Sequence, residues 1–301
     1  MMNCQFLLMI VLACGVMPGL AYATDGFYDS NGVKIRYVTA GEGEPVVLIH
    51  GWMGDSSMWG RDKSGNAKLD TSRASGFQLI ALDCRGHGKS DKPHDPEKYG
   101  AEMAADVVRL LDHLKIRKAH LLGYSMGAFI AGKVAATHPE RVLSVVYGGQ
   151  APFIAGVQSS GSSEVDVFAK AVDDGKGLGA YIIAVTPPDK PKPTMEQANA
   201  IANYLFDGKD VKALAAAGRS FKNLEVTAEE LGKCKAPTLF IYGANESDQL
   251  KERVATLRKV LGRGEVKLIE GGDHMTTLTK PEFGSSIIEF LRSHKAKDVG
   301  H

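Results

Sequence analysis

The sequence predicts an α/β fold: a mostly parallel central sheet flanked by helices, interrupted by a helical insertion. Two observations carry this. Apolar runs of strand length alternate with stretches at helical spacing through 33–147 and again through 236–294, the pattern of parallel strands joined by crossover helices. Between them, 151–235 holds Gly/Ser-rich and Pro-rich joints (159–163, 187–193) and short Ala-rich helical stretches such as 195–206, without a strand of the apolar central type. The expected organisation is therefore a leader at 1–23, a core at 24–150 and 236–301, and an insertion at 151–235.

Taken in order, 33–39 alternates like a half-exposed strand and follows the hairpin signal Asn31-Gly32. Residues 45–49 form a fully apolar strand running into His50-Gly51-Trp52-Met53-Gly54. A strand at 77–82 runs into Asp83-Cys84-Arg85-Gly86-His87-Gly88-Lys89-Ser90. The helix expected at 99–114 carries Met103, Val107, Leu110, Leu111 and Leu114 on one face. A strand at 118–122 leads into Gly123-Tyr124-Ser125-Met126-Gly127, a helix at 128–136 and a strand at 141–147. After the insertion come a strand at 236–243, a helix at 250–261, a strand at 265–269 and a last helix at 281–294.

Length and charge narrow the function classes. The 301 residues carry 36 Lys and Arg against 35 Asp and Glu, which gives no electrostatic case for nucleic acid or an anionic membrane surface. Residues 1–23 read as an export signal. Their apolar core at 6–16 is short for a membrane span, and Ala21-Tyr22-Ala23 supplies a small-x-small cleavage site. The expectation is an exported protein, periplasmic or secreted. The start of the leader lacks Lys and Arg, and Val11-Leu12-Ala13-Cys14 loosely resembles a lipoprotein cleavage box. Because Leu12 fits that box poorly, lipidation at Cys14 is the weaker alternative. Past the leader only Cys84 and Cys234 remain, too few for a disulfide framework and without metal-ligand spacing. Two buried thiols are expected, with one disulfide as the alternative in an oxidising compartment.

The chemistry centres on Gly-x-Ser-x-Gly at 123–127. Alone, five residues could be an ordinary Gly/Ser turn. Placed between an apolar strand and a buried helix, the pattern puts Ser125 on a sharp, exposed bend, with helical N–H groups where an oxyanion would form. A serine hydroxyl needs a base. His274 follows a strand and the turn Gly271-Gly272, whereas His294 falls on the last helix and His301 is the final residue.

Four motifs at strand ends, in this order, resemble the α/β-hydrolase fold family: His50-Gly51-Trp52, Asp83-x-Arg85-Gly86-x-Gly88-x-Ser90, the Ser125 elbow and Gly271-Gly272-Asp273-His274. The resemblance covers nearly everything after the leader. It implies Ser125 as nucleophile, His274 as general base and acid, and backbone N–H groups of Trp52 and Met126 as oxyanion donors, with no cofactor. His50 is expected to help hold the oxyanion loop, Asp83 and Arg85 to shape the loop beneath the pocket, and Trp59 to pack. The insertion is similar to the family's cap, which roofs the active site. Export and a compact cap are most similar to the esterase and lipase side.

The acid departs from the family pattern, which puts Asp three residues after the glycine ending the penultimate strand. Here Gly243-Ala244-Asn245-Glu246-Ser247-Asp248 offers two alternatives for one role. Register favours Glu246 and residue type favours Asp248, with register given slightly more weight. Asp248 or Ser247 could instead cap the following helix. Asp273 is discounted, because adjacent side chains rarely meet in that geometry.

The function implied is a serine hydrolase acting on an ester-type carbonyl of a small to medium substrate through an acyl-enzyme. Members of this fold that open epoxides or cleave carbon–halogen bonds carry aspartate at the elbow, where this chain has Ser125. Two alternatives remain: a cofactor-free perhydrolase or haloperoxidase activity on the same triad, and a ligand-binding protein on a hydrolase scaffold with weak turnover. The irregular acid loop motivates the second.

Overall fold

The computed structural model describes residues 24–60, 74–156, 164–186 and 190–295. The expected export signal, with Cys14, lies outside the described residues, as do the joint at 159–163 and part of that at 187–193.

Eight strands form one sheet in the order β1-β2-β4-β3-β5-β6-β7-β8. They are β1 Thr24–Asp29, β2 Lys34–Ala40, β3 Gly43–Ile49, β4 Gly76–Leu82, β5 Ala119–Tyr124, β6 Val142–Gly148, β7 Thr238–Gly243 and β8 Glu265–Ile269. The pairs β1–β2 and β2–β4 are antiparallel; all others are parallel. β1 is absent from the sequence reading, because Thr-Asp-Gly-Phe-Tyr-Asp shows little apolar alternation. It forms through the tight turn at Asn31 and Gly32, both at positive φ (58° and 78°), the backbone that an Asn-Gly hairpin supplies.

Alternation along the strands builds two cores. Val47, Ile49, Ile80, Leu82, Leu121, Val145, Phe240 and Tyr242 pack on one face with residues of α1 (Ala101–His113), α2 (Met126–Thr137) and α8 (Asp248–Leu261). Val46, Leu48, Leu79, Ala81, Leu122, Val146, Leu239 and Ile241 pack on the other with Phe283, Ile287 and Leu291 of α9 (Pro281–Ser293). Cys84 and Cys234 are both buried, free thiols.

Between β6 and β7 run α3 Glu164–Asp174, α4 Gly179–Val185, α5 Met195–Leu205, α6 Val211–Arg219 and α7 Ala228–Lys233. Phe168, Leu178, Tyr181, Ile182, Ala198, Ala202 and Leu214 give α3–α6 a small core of their own. The two ends of this segment meet in a short bridge, Ala155 N–H donating to Val226 O and Val226 N–H to Phe153 O, both at 2.9 Å. No helix among the described residues is long and apolar enough to cross a membrane. All the parallel strands deliver their following loops to one edge of the sheet, and the candidate site lies there.

Candidate active site

Ser125 stands where β5 turns into α2, with φ 54° and ψ −116°, a left-handed backbone that a residue with a Cβ adopts only under strain. Two glycines make the bend fit. A Cβ at Gly123 would lie 2.0 Å from Gly127 O, and one at Gly127 would lie 2.0 Å from Ile49 O. Ser125 N–H donates to Gly148 O (2.9 Å), tying the bend to β6.

His274 reaches this serine from the loop after β8. Its Nε2 lies 3.0 Å from Ser125 Oγ, and its Nδ1 lies 2.9 Å from Glu246 Oε1. A carboxylate only accepts, so Nδ1 carries the hydrogen and Nε2 is left to accept from the serine hydroxyl. The His274 loop is pinned twice: Tyr124 Oη donates to His274 O (2.6 Å), and Asp273 accepts from Met275 N–H, Thr276 N–H and Thr276 Oγ1. Asp273 is therefore engaged in its own turn. Burial by itself would depress the His274 pKa. The hydrogen bond and charge of Glu246 outweigh it, with Glu164 and Asp273 adding to them, and the net shift is upward.

Of the two acid alternatives, the structure brings only Glu246 to His274. Its side chain is 8% exposed, whereas that of Asp248 is 94% exposed. Asp248 is the first residue of α8, paired with Lys251 at 3.4 Å, and Ser247 caps the helix by accepting from Leu250 N–H. The cap commits residue 248 to a solvent-facing turn, which corrects the residue-type alternative. The loops converge because a Cβ at Gly243 would lie 2.2 Å from Gly272 O, and Asn245 N–H donates to Gly272 O (2.9 Å).

The loop after β3 runs against the serine: a Cβ at Gly51 would be 3.3 Å from Ser125 Cβ. Buried His50 braces it, its Nδ1–H donating to Gly51 O (2.8 Å) and its Nε2 accepting from Cys84 N–H (3.0 Å). Burial lowers its pKa, in keeping with the neutral ring these two bonds require. Trp52 follows, packed edge-on against Phe168 and Phe221. Met126, fully buried, opens α2, where the first N–H groups have no partner within the helix. Trp59 is buried in the core on the α9 face.

Neighbouring charges are structural. Arg85 forms a bidentate pair with buried Asp106, Nε to Oδ2 at 2.7 Å and Nη2 to Oδ1 at 2.5 Å. Asp83 accepts from Ser56 N–H and Lys89 N–H, both at 2.8 Å, and so joins two loops. A cavity of about 490 Å³ borders Met53, Asp83, His87 and Lys209, but Ser125, His274 and Glu246 do not line it.

A second serine–histidine–glutamate array, missed in the sequence, lies across β3, β5 and β6 near their N-terminal ends. His120 Nδ1 is 2.7 Å from Ser144 Oγ, and its Nε2 is 2.9 Å from Glu44 Oε2. Ser144 and His120 are both 0% exposed, and Ser144 sits inside a strand without a helix N-terminus beside it. It can knit strands together but cannot meet a substrate.

The family description "alpha/beta hydrolase fold" matches residues 44–281. The chain belongs to the alpha/beta hydrolase fold family. Among relatives of this hydrolase, an epoxide hydrolase of Caballeronia sordidicola is 26% identical over 261 residues, 86% of this chain and 74% of that one. A non-heme chloroperoxidase of Kitasatospora aureofaciens is 27% identical over 278 residues, 87% and 97% of the two chains. The crystal structure of an enol-lactonase from Burkholderia xenovorans superposes with a TM-score of 0.70 at 25% identity, covering 89% of this chain and 100% of that one. Some other curated relatives match over less than half of their own length.

Proposed function

We propose that this hydrolase acts on ester-type carbonyls through an acyl-enzyme on Ser125. The observation that carries the reading is the unbroken relay from Glu246 Oε1 through the His274 ring to Ser125 Oγ, at 2.9 and 3.0 Å. In this mechanism Ser125 Oγ attacks the carbonyl carbon while His274 Nε2 takes its proton, and Glu246 stabilises the imidazolium. The oxyanion is met by backbone N–H groups of Trp52 and Met126, each such donor being worth roughly 3 kcal/mol in the transition state. Collapse breaks the bond to the alcohol, which leaves with the proton from His274. Water, deprotonated by the same ring, then releases the acid. No metal or cofactor is required by these steps.

The helices between β6 and β7 are proposed to roof the site, and the absence of a long apolar lid segment in the sequence argues for short to medium acyl chains. Export, proposed from residues 1–23, would place the activity in the periplasm or outside the cell. The test is rapid mixing with p-nitrophenyl esters of increasing chain length, followed by acid quench and mass analysis. A burst of about one equivalent of p-nitrophenol per enzyme, with the acyl mass on Ser125, is expected, strongest for short and medium chains. A burst or adduct that persists in Ser125→Ala would refute the mechanism, and preference for long-chain emulsions would refute the chain-length reading.

The similarity to a non-heme chloroperoxidase favours a second reading on the same residues. Hydrogen peroxide, taking the place of water on the acyl-enzyme, would release a peracid and regenerate Ser125. With acetate, hydrogen peroxide and bromide supplied together, the peracid should oxidise bromide and a dye should be brominated only while Ser125 is present. Turnover of esters without any such oxidant would leave the esterase reading alone.

A further inference from the structure

The loop carrying Trp52 is held in a strained shape, and beside His50 of the core two of the groups that hold it come from the insertion. Gly54 N–H donates to Gly51 O (3.1 Å), closing a four-residue turn whose third residue, Met53, has φ +65°. That position favours glycine or asparagine, and a methionine there must be kept in place by its surroundings. The Lys209 ammonium donates to Met53 O at 2.7 Å, and Trp52 Nε1–H donates to Leu214 O at 3.0 Å. Lys209 directly precedes Asp210, the N-cap of α6, and Leu214 lies on that helix. One short segment thus grips both residues of the turn. On its other side the same loop runs against Ser125, a Cβ at Gly51 falling 3.3 Å from Ser125 Cβ.

We propose that Lys209 is a positioning residue: its bond to Met53 O holds the 51–54 turn in the shape that aims Trp52 N–H at the oxyanion. The inference rests on the serine-hydrolase reading and adds that the oxyanion site is complete only while the insertion is seated on the core. A charge-assisted bond from a lysine to a carbonyl is stronger than a neutral one, and here it acts on a residue whose backbone would otherwise relax. Removing it should lower transition-state stabilisation while leaving ground-state binding nearly untouched, a loss in kcat with little change in KM.

The experiment is a double-mutant cycle with p-nitrophenyl acetate. Lys209→Met keeps the length of the side chain and removes its donor. Its kcat should fall about tenfold, part of the 10²–10³ range for complete loss of an oxyanion donor, with KM within about twofold. Met53→Gly makes φ +65° unstrained, so in that background Lys209→Met should cost less than about threefold. His94→Ala is the control. It removes a neighbouring contact between core and insertion, His94 Nε2 to Asp210 Oδ2 at 2.9 Å, without touching Met53, and should leave kcat unchanged. Thermal melts of all variants report whether each remains folded. Unchanged kcat in Lys209→Met, an equal loss in both backgrounds, or an equal loss in His94→Ala would overturn the inference. A wild-type enzyme with no Ser125-dependent turnover would instead overturn the underlying reading.

Discussion

Replacing Glu246 by glutamine keeps the side-chain volume and removes the charge facing His274 Nδ1. The carboxylate is 8% exposed, so bulk water cannot stand in for it. Loss of a charge-assisted hydrogen bond is worth about 1.5–3 kcal/mol, or roughly 10- to 150-fold at about 1.4 kcal/mol per decade. A further loss comes from the tautomer. The amide can turn its N–H₂ to Nδ1, which places the ring hydrogen on Nε2 and blocks acceptance from Ser125 Oγ. The analogous change in the well-studied serine triad costs roughly 10⁴-fold, so kcat is expected to fall about 10³- to 10⁴-fold. Tyr124 still holds His274 O, and the fold should therefore persist. The pH profile adds an independent reading. Turnover needs a neutral Nε2, so activity rises with pH through the His274 pKa. Glu246 raises that pKa, and its removal should move the acid limb of kcat/KM to lower pH. Asp248→Asn should change kcat by less than about twofold, as expected for an exposed surface substitution. Small, equal effects of the two substitutions on kcat, with no displacement of the acid limb, would refute the reasoning.

Three further outcomes follow from other parts of the molecule. Ser144→Ala should retain activity within about twofold while losing about 1–2 kcal/mol of stability, because it removes a buried hydrogen bond and no chemistry; a large loss of kcat on folded protein would contradict this. Gly127→Ala should cost about 3 kcal/mol or more, or prevent folding, since its methyl would sit 2.0 Å from Ile49 O, and a stable, active variant would show that the bend is looser than drawn. Burial pushes the His87 pKa down to about 3. Between roughly pH 6.5 and that value the unfolded chain binds a proton the native protein does not, so His87 makes unfolding easier by about 1.4 kcal/mol per pH unit as pH falls. Urea unfolding at pH 6.5 and 5.0 should show a shallower decline in His87→Leu, and identical slopes would contradict the assignment.

The placement of Ser125 and His274, the candidate nucleophile and base, was legible because each is fixed by local chemistry at a strand end. The elbow needs glycines at 123 and 127, and His274 follows a Gly-Gly turn after the last strand. The choice between Glu246 and Asp248 was not, because what brings Glu246 to His274 is long-range. The close approach of Gly243 to Gly272 brings two loops together, and the Ser247 cap sends Asp248 outward. The Ser144–His120–Glu44 array depends on the parallel register that sets Val46 opposite His120, which no run of sequence displays. β1 formed from a poorly patterned segment because the Asn31-Gly32 turn and pairing along β2 stabilise it. In the insertion the short helices could be anticipated, but not the packing of Phe168, Tyr181 and Leu214 or the reach of Lys209 to Met53.

The most direct test of the nucleophile is reaction with a fluorophosphonate probe followed by peptide mapping. One adduct, on Ser125, abolished in Ser125→Ala and slowed in Glu246→Gln, is the expected result. Folded protein that takes no label, or takes it at Ser144 or another residue, would contradict the account.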